Sequence, residues 1–331
     1  MKKVITSILV VCYILALVPA IIVAVTTEQG TTGDCTWKRT GTVLTISGNG
    51  KMGDYGGGSP WSDKITEVKI SEGVTSIGTR AFFPCKNLNI VKIPDSVTSV
   101  GAEAFNTTPF LNNKGNWEDG ILYIDDYLIQ AQDTIESTCT IKPGTKVIAD
   151  SAFYHCENLC RVILPDSVIS IGKSAFESCE NLCSVTIPGS VASVGERAFE
   201  ACLNLSDITI PDSVISIGER AFKSCWSLSS IAIPDSVSDI GIWAFYNTGY
   251  YYDETNWEKS WEGDVLYLGN HLIEAKPLSG AYTVKNGTKT IASGAFRCNN
   301  GLLSITIPDS VTSIGDKACL LYTSPSPRDT R

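Results

Sequence analysis

The chain has 331 residues, 43% hydrophobic and 18% charged, with 26 basic against 35 acidic side chains and a formal net charge of −9. No basic block occurs anywhere, which argues against a nucleic-acid partner, whose phosphates need a clustered cationic face. The two histidines, His155 and His271, have no Ser, Cys or Glu partner at a spacing that supports nucleophilic or metal chemistry, so neither catalysis nor a cofactor is expected.

At the start, Lys2 and Lys3 precede an uncharged, mostly apolar stretch of 22 residues from Val4 to Val25. A positive segment followed by an apolar one is what export machinery reads, and Val18-Pro19-Ala20 or Ile22-Val23-Ala24 offers a small residue for cleavage. The stretch is also long enough to span a bilayer. Residues 1–25 are therefore a signal peptide or an N-terminal anchor, and either one places the remainder outside the cytoplasm. No other membrane contact is expected. The next segment contains Gly48-Asn49-Gly50-Lys51-Met52-Gly53, which matches a dinucleotide-binding fingerprint in letters. That motif needs a helix directly afterwards to aim its amides at a pyrophosphate, and Asp54 to Pro60, with three glycines, cannot supply one.

From here a repeat governs the chain. Ala-Phe pairs fall at Ala81, Ala104, Ala152, Ala175, Ala198, Ala221, Ala244 and Ala295, followed by a lone Ala318; six of the eight intervals are 23 residues and the others 48 and 51. A fixed period of this size belongs to stacked supersecondary units. In the unit from Leu182 to Cys202, Val185 and Ile187 alternate with Ser184 and Thr186, the period of a half-buried strand. Pro188 ends that strand because it cannot donate to a central ladder. The Pro-Asp-Ser of other copies, such as Pro211-Asp212-Ser213, is turn chemistry, with the Asp side chain expected to bond nearby backbone. Gly195 suits a tight corner, and Gly195 to Phe199 is long enough for one short helical turn.

The pattern Leu-x-x-Ile-x-Ile-Pro-Asp-Ser-Val-x-Ser-Ile-Gly-x-x-Ala-Phe-x-x-Cys resembles the BspA-type leucine-rich repeat and covers residues 63–318. The resemblance implies a curved, right-handed repeat solenoid with a parallel β-sheet on its concave side and short helical turns or loops on its convex side. It also implies a role in adhesion or ligand capture. Residues 26–62, with Trp37, Val43 to Ile46 and Ser59-Pro60-Trp61, resemble the β cap that precedes such arrays. An open solenoid end needs an atypical unit to cover its core.

The two long intervals are copies of one another. Asn116-Trp117-Glu118 recurs as Asn256-Trp257-Glu258, and Ile121 to Ile129 parallels Val265 to Ile273. Apolar runs on either side of Asp125-Asp126 and of Gly269-Asn270 read as β-hairpins, so long units are expected at about 106–141 and 246–284. They concentrate aromatics: Trp117, Tyr250, Tyr251, Tyr252, Trp257 and Trp261. These either cover the hairpins' own small core or present a platform for a sugar or a partner chain.

Cys85, Cys156, Cys179, Cys202 and Cys225 share one column, three residues after Phe, which reads as buried free thiols. Cys160 and Cys183 occupy a second position that holds Asn89, Ser206 and Ser229 in other copies. The four thiols from Cys156 to Cys183 have a spacing near that of some zinc sites, but the column explains them without a metal. A Cys160–Cys183 disulfide stays open, because neighbouring rungs lie ~4.8 Å apart, within the ~4.4–6.8 Å span of a bridge.

Outward strand positions include Arg161 and Ile163, Ser184 and Thr186, and Asp207 and Thr209, a hydroxyl-rich face. It is either a ladder that favours stacked strands or a flat surface for a ligand. Residues 319–331 break the repeat abruptly and read as a non-native tail or a disordered end. The function expected is an exported binding module that takes a host or neighbouring-cell protein or glycan at the cell surface. The alternative is the recognition arm of a larger extracellular enzyme. Arg161, Thr186, Thr209 and the long-unit aromatics are the candidate binding residues. The corners, which repeat nearly the same residues, are expected to contribute little.

Overall fold

Each 23-residue unit lays down two short strands, as in Ser184–Thr186 and Ser193–Val194. Each strand pairs in parallel with its counterpart one unit later: Ser184 with Asp207, Val185 with Ile208 and Thr186 with Thr209, then Ser193 with Ser216 and Val194 with Ile217. The outcome, in a computed structural model that describes residues 27–61, 63–251 and 261–319, is a β-solenoid of about 11 turns. The export segment, Tyr252, Trp257 and the tail beyond Cys319 lie outside the described residues.

The short helical turn expected between Gly195 and Phe199 does not form. Ala198, Glu200 and Cys202 donate backward to the carbonyls of Gly195, Arg197 and Phe199, while Arg197, Phe199 and Ala201 donate across to Glu219, Ala221 and Lys223 of the next unit at 2.8 Å. Alternate amides thus pair along the chain and between units. A helix would direct all of them along its own axis and leave the neighbouring rung unpaired. The alternation needs left-handed backbone at two positions per turn, and side-chain-bearing residues take it: Arg197 at φ 54° and Ala201 at φ 60°, with Ser174, Ser178, Arg220 and Ser224 in the same columns. Among the described residues the sole α-helix is the four-residue Pro109–Asn112.

Inside this frame the repeated letters become columns. Phe153, Phe176, Phe199, Phe222 and Phe245 are fully buried and stack with ring centroids 4.8, 5.2, 5.5 and 5.4 Å apart. The cysteine column has a bonding role: Cys179, Cys202 and Cys225 donate their thiols to the carbonyls of Phe153, Phe176 and Phe199 at 3.0, 3.1 and 3.1 Å. In Pro-Asp-Ser the serine, and not the aspartate, serves the backbone. Ser213 Oγ donates to Val191 O at 2.7 Å and Ser236 Oγ to Val214 O at 3.0 Å, each one unit back.

The N-terminal end is covered by the antiparallel strands Thr27–Thr32, Cys35–Thr40 and Val43–Gly48, the last of which starts the parallel stack by pairing with Glu67–Ile70. Trp61 is wholly buried there, edge-on to Trp37 at 5.5 Å, with its indole N–H donating to Ala81 O. Gly50–Lys51 is itself a strand, paired with Val74–Ile77, and no helix follows it.

The long units contain hairpins Ile121–Ile124/Tyr127–Ala131 and Val265–Leu268/His271–Ala275. The second strand of each joins the stack in parallel, against Val147–Ile148 and Thr290–Ile291. Their turns take positive φ at Asp125 and Gly269. The two copies correspond differently from the reading of the letters: Trp117 pairs with Leu122 as Trp261 pairs with Leu266. Trp261-Glu262, rather than Trp257-Glu258, is therefore the structural repeat of Trp117-Glu118. The hairpin spacing decides the register, because a strand one residue out of phase would turn its apolar side outward.

Candidate functional site

Strands Thr138–Thr140, Arg161–Ile163, Ser184–Thr186 and Asp207–Thr209 form one four-stranded parallel sheet. Their middle residues are buried and their flanking residues point outward. Thr138, Arg161, Ser184 and Asp207 stand side by side in register. Thr140 opposite Ile163, and Thr186 opposite Thr209, continue a second row. Arg161, Thr186 and Thr209 are exposed, as the alternation implies, and the sheet brings them onto one face.

Of the long-unit aromatics, the three whose side chains are described, Trp117, Tyr250 and Trp261, are packed on the core and not presented as a platform. Tyr250 and Trp261 are buried and belong to the main core, and Trp117 is partly buried against it. Their polar edges are engaged in holding the hairpins: Trp117 Nε1 donates to Leu111 O at 2.8 Å and Trp261 Nε1 to Tyr250 O at 3.3 Å. Each indole closes the loop that leads into its own hairpin, because a small inserted sheet needs a large apolar cover. Tyr251 lies in the short turn Gly249–Tyr251, with no side-chain position described.

A cleft that the sequence reading missed opens beside the second hairpin. It measures about 500 Å³ and is lined by Arg220, Trp243, Tyr246, Lys276 and Arg297 among others. Trp243 was the available signal: it interrupts a corner column that holds Ser174, Arg197 and Arg220 in the preceding units. The corners are not interchangeable after all.

The Sγ atoms of Cys160 and Cys183 are 2.9 Å apart and partly exposed. Burial pushes the column thiols up, away from reactivity, with Cys85 and Cys156 raised to about 12. Among the described residues no group of three or more His, Cys, Asp or Glu side chains converges as a metal site. Two further titratable groups are perturbed. Burial raises Asp150 to about 6, although its carboxylate accepts the Lys173 amide at 2.8 Å. Burial lowers His271, whose ring nitrogens face the Pro234 and Ile233 carbonyls without a well-formed hydrogen bond.

A search of curated protein sequences finds no significant match. Among solved structures the chain is similar to a leucine-rich cell surface protein from Faecalibacterium prausnitzii, with 26% identity, 88% of this chain and 73% of that one covered, and a TM-score of 0.33. It is similar also to leucine-rich-repeat proteins from Eubacterium ventriosum (21% identity, 92% and 99% covered, TM-score 0.29) and Bacteroides ovatus (20%, 89% and 78%, TM-score 0.34). At these TM-scores the likenesses carry no functional argument. The sequence profile described as "BspA type Leucine rich repeat region (6 copies)" matches residues 61–141, 146–252 and 270–323. With more than half of its length matched by that profile, and with the repeat columns stacked as one solenoid, the chain belongs to the BspA-type leucine-rich-repeat family.

Proposed function

We propose that the chain is an extracellular, surface-exposed binding module that captures a protein or glycan ligand on its outward strand rows. Family membership supports a binding role, and the charge-then-apolar order of residues 1–25 supports export. The observation that carries the reading is the in-register array Thr138–Arg161–Ser184–Asp207, with Thr186 opposite Thr209 beside it. Its side chains repeat at the ~4.8 Å spacing of adjacent strands. Threonine is stiff at χ1, so a ligand that meets this face loses little side-chain freedom in ordering it. Arg161 supplies a cationic fork and Asp207 a carboxylate at either side of the Ser184 hydroxyl, and Ile163, 48% exposed, supplies an apolar contact beside Arg161.

The test is an array of immobilised glycans and extracellular proteins probed with the purified chain. Any ligand found is then measured against an Arg161→Gln, Thr186→Ala, Thr209→Ala triple variant and an Asp212→Ala control, all with wild-type melting curves. The triple variant is expected to lose at least about tenfold in affinity, the scale of one or two interface anchors. Equal loss in the control, or none in the triple variant, would place the ligand elsewhere.

A further inference from the structure

Three turns of the array share a backbone conformation and differ in the side chain just before it. Gly73, Gly144 and Gly287 stand at φ 97°, 91° and 90°, a region that glycine enters without the steric cost of a Cβ. The residues that precede them are Glu72, Pro143 and Asn286. Pairing of Ser279–Thr283 with Gly301–Thr306 sets Thr283 against Thr306, so Asn286-Gly287 takes the place of Asp309-Ser310 in the next unit. Asparagine before glycine thus stands where the regular copies carry aspartate before serine.

The Asn286 side chain is turned toward the amide that follows it. Gly287 N donates to Asn286 Oδ1 at 3.0 Å and to Ser310 Oγ, one unit later, also at 3.0 Å. Both Asn286 and Gly287 are exposed. This orientation sets the carbon that bears Oδ1 beside the Gly287 nitrogen, the kind of arrangement from which attack proceeds. A bond between the two atoms would close a five-membered ring.

The rest of the chain isolates that geometry. Asn49-Gly50 has the same two letters, but Gly50 N donates to Gly73 O at 3.0 Å in the pairing between units. Its nitrogen is directed away from its own asparagine. Asn300-Gly301 leads into the paired strand Gly301–Thr306, where the backbone is extended. Pro143 has no side-chain carbonyl, and Glu72 would have to close a larger ring from a carboxylate, which is a poor electrophile.

We propose that Asn286 is a self-modifying site that cyclises with the Gly287 nitrogen and ages into aspartate and isoaspartate. The nitrogen loses its proton and bonds to Cγ, and the Cγ–Nδ2 bond breaks. Nδ2 leaves as ammonia, taking that proton with its own two hydrogens. Water then opens the cyclic imide. Addition at Cγ breaks the bond just formed and leaves an aspartyl residue, the acid that regular copies carry here. Addition at the main-chain carbonyl carbon breaks the original peptide bond instead, so the chain runs on through Cγ and gains a methylene. Thr288 Oγ1 donates to Lys285 O at 2.7 Å across this turn, and the added methylene falls between those two residues. The site depends on no ligand and stands whether or not the outward strand rows bind anything.

The experiment holds the purified folded chain in mildly alkaline buffer at body temperature, beside a sample unfolded in guanidinium chloride. Both are mapped by mass spectrometry with aspartyl and isoaspartyl peptides separated. Unfolded, Asn49, Asn286 and Asn300 should react at similar rates, since each precedes glycine. On folding, Asn49 should slow by at least about tenfold, while Asn286 keeps or exceeds its unfolded rate because the attacking pair is already in place. Isoaspartate should accompany aspartate, and the rate should rise with pH, since the nitrogen must lose its proton. Gly287→Ala should slow the reaction at Asn286 by at least about tenfold, because a Cβ shields the nitrogen and disfavours this φ. The comparison of folded with unfolded wild-type chain needs no variant and stays decisive if Gly287→Ala fails to fold. Slowing of Asn286 on folding to the extent seen at Asn49, aspartate without isoaspartate, an undiminished rate in folded Gly287→Ala, or no conversion at Asn286 would each overturn the proposal.

Discussion

The sulfur atoms of Cys160 and Cys183 face each other 2.9 Å apart, on neighbouring units whose backbones are joined there by a 2.8 Å bond from the Cys183 amide to the Cys160 carbonyl. The Cys160 contact, and then burial, hold the Cys183 thiol above its ordinary range. A diazenedicarboxamide oxidant, which accepts two hydrogen atoms, should link this pair, since the thiols need no backbone movement to meet. The expected readout is the loss of two hydrogen atoms in the peptide map at Cys160–Cys183, absent in Cys160→Ser. The column thiols at Cys179, Cys202 and Cys225 should remain reduced in the folded chain, because burial suppresses their thiolates. Their oxidation at the same rate as the pair would contradict this account.

His271 takes the place in the second hairpin that Tyr127 takes in the first, each being the residue with which the second strand begins. Tyr127 reaches Pro94 O and Val97 O at 2.6 and 3.1 Å, whereas the buried imidazole makes no comparable bond. Its pKa is lowered in the fold, so the unfolded chain takes up the proton first, and stability falls as pH drops through the unfolded value near 6.5. His271→Tyr is expected to remove that step from the pH profile of chemical denaturation and to add about 1 kcal/mol at neutral pH through the new hydrogen bond. An unchanged acid dependence would show that other groups cause it.

Asp150 titrates with the opposite sign. Its pKa is raised in the fold, from 3.8 to about 6, so the native state keeps the proton longer. The group is neutral to stability below about pH 4, becomes progressively unfavourable as pH rises from there to about 6, and costs a constant amount above that. Asp150→Asn retains an acceptor for the Lys173 amide without the buried charge. It should raise stability at pH 7 by roughly 1–3 kcal/mol and by much less at pH 4. A gain of equal size at both pH values would point to packing instead.

Phe199 is packed between Phe176 and Phe222, at 5.2 and 5.5 Å with nearly parallel rings. Phe199→Ala should cost about 3–5 kcal/mol, the scale of truncating a buried aromatic. Thr186→Ala, on the outward face of the same stack, should cost less than about 1 kcal/mol. Urea denaturation of both variants checks the contrast, and similar losses would mean that the column is not the core.

The period of 23 made the Phe and Cys columns legible, since identical letters at identical spacing must face identical surroundings in a stack. The hairpins were legible for a related reason: the run from Ile121 is written a second time from Val265. The corner was not, because the choice between a helical turn and alternating bonds is made by the carbonyls of Glu219, Ala221 and Lys223, which belong to another unit. Nor was the burial of Tyr250 and Trp261, since an insertion has no period from which to count its inward side. The cleft is the extreme case. Arg220 and Arg297 are 77 residues apart, and only the stacking of units on either side of the hairpin brings them to one indole.

The bonds that cross between units all run along the axis of the stack, which decides how the array meets a mechanical load. Tension applied along that axis acts on one interface at a time, so the turns should peel away singly. Tension applied across it shears every bond of a turn together and should meet far more resistance. In single-molecule extension along the axis, each released turn of 23 residues would pay out about 80 Å of chain. A protein tethered at one end and pulled at the other would thus lengthen in regular steps, shedding force while its remaining turns stay folded.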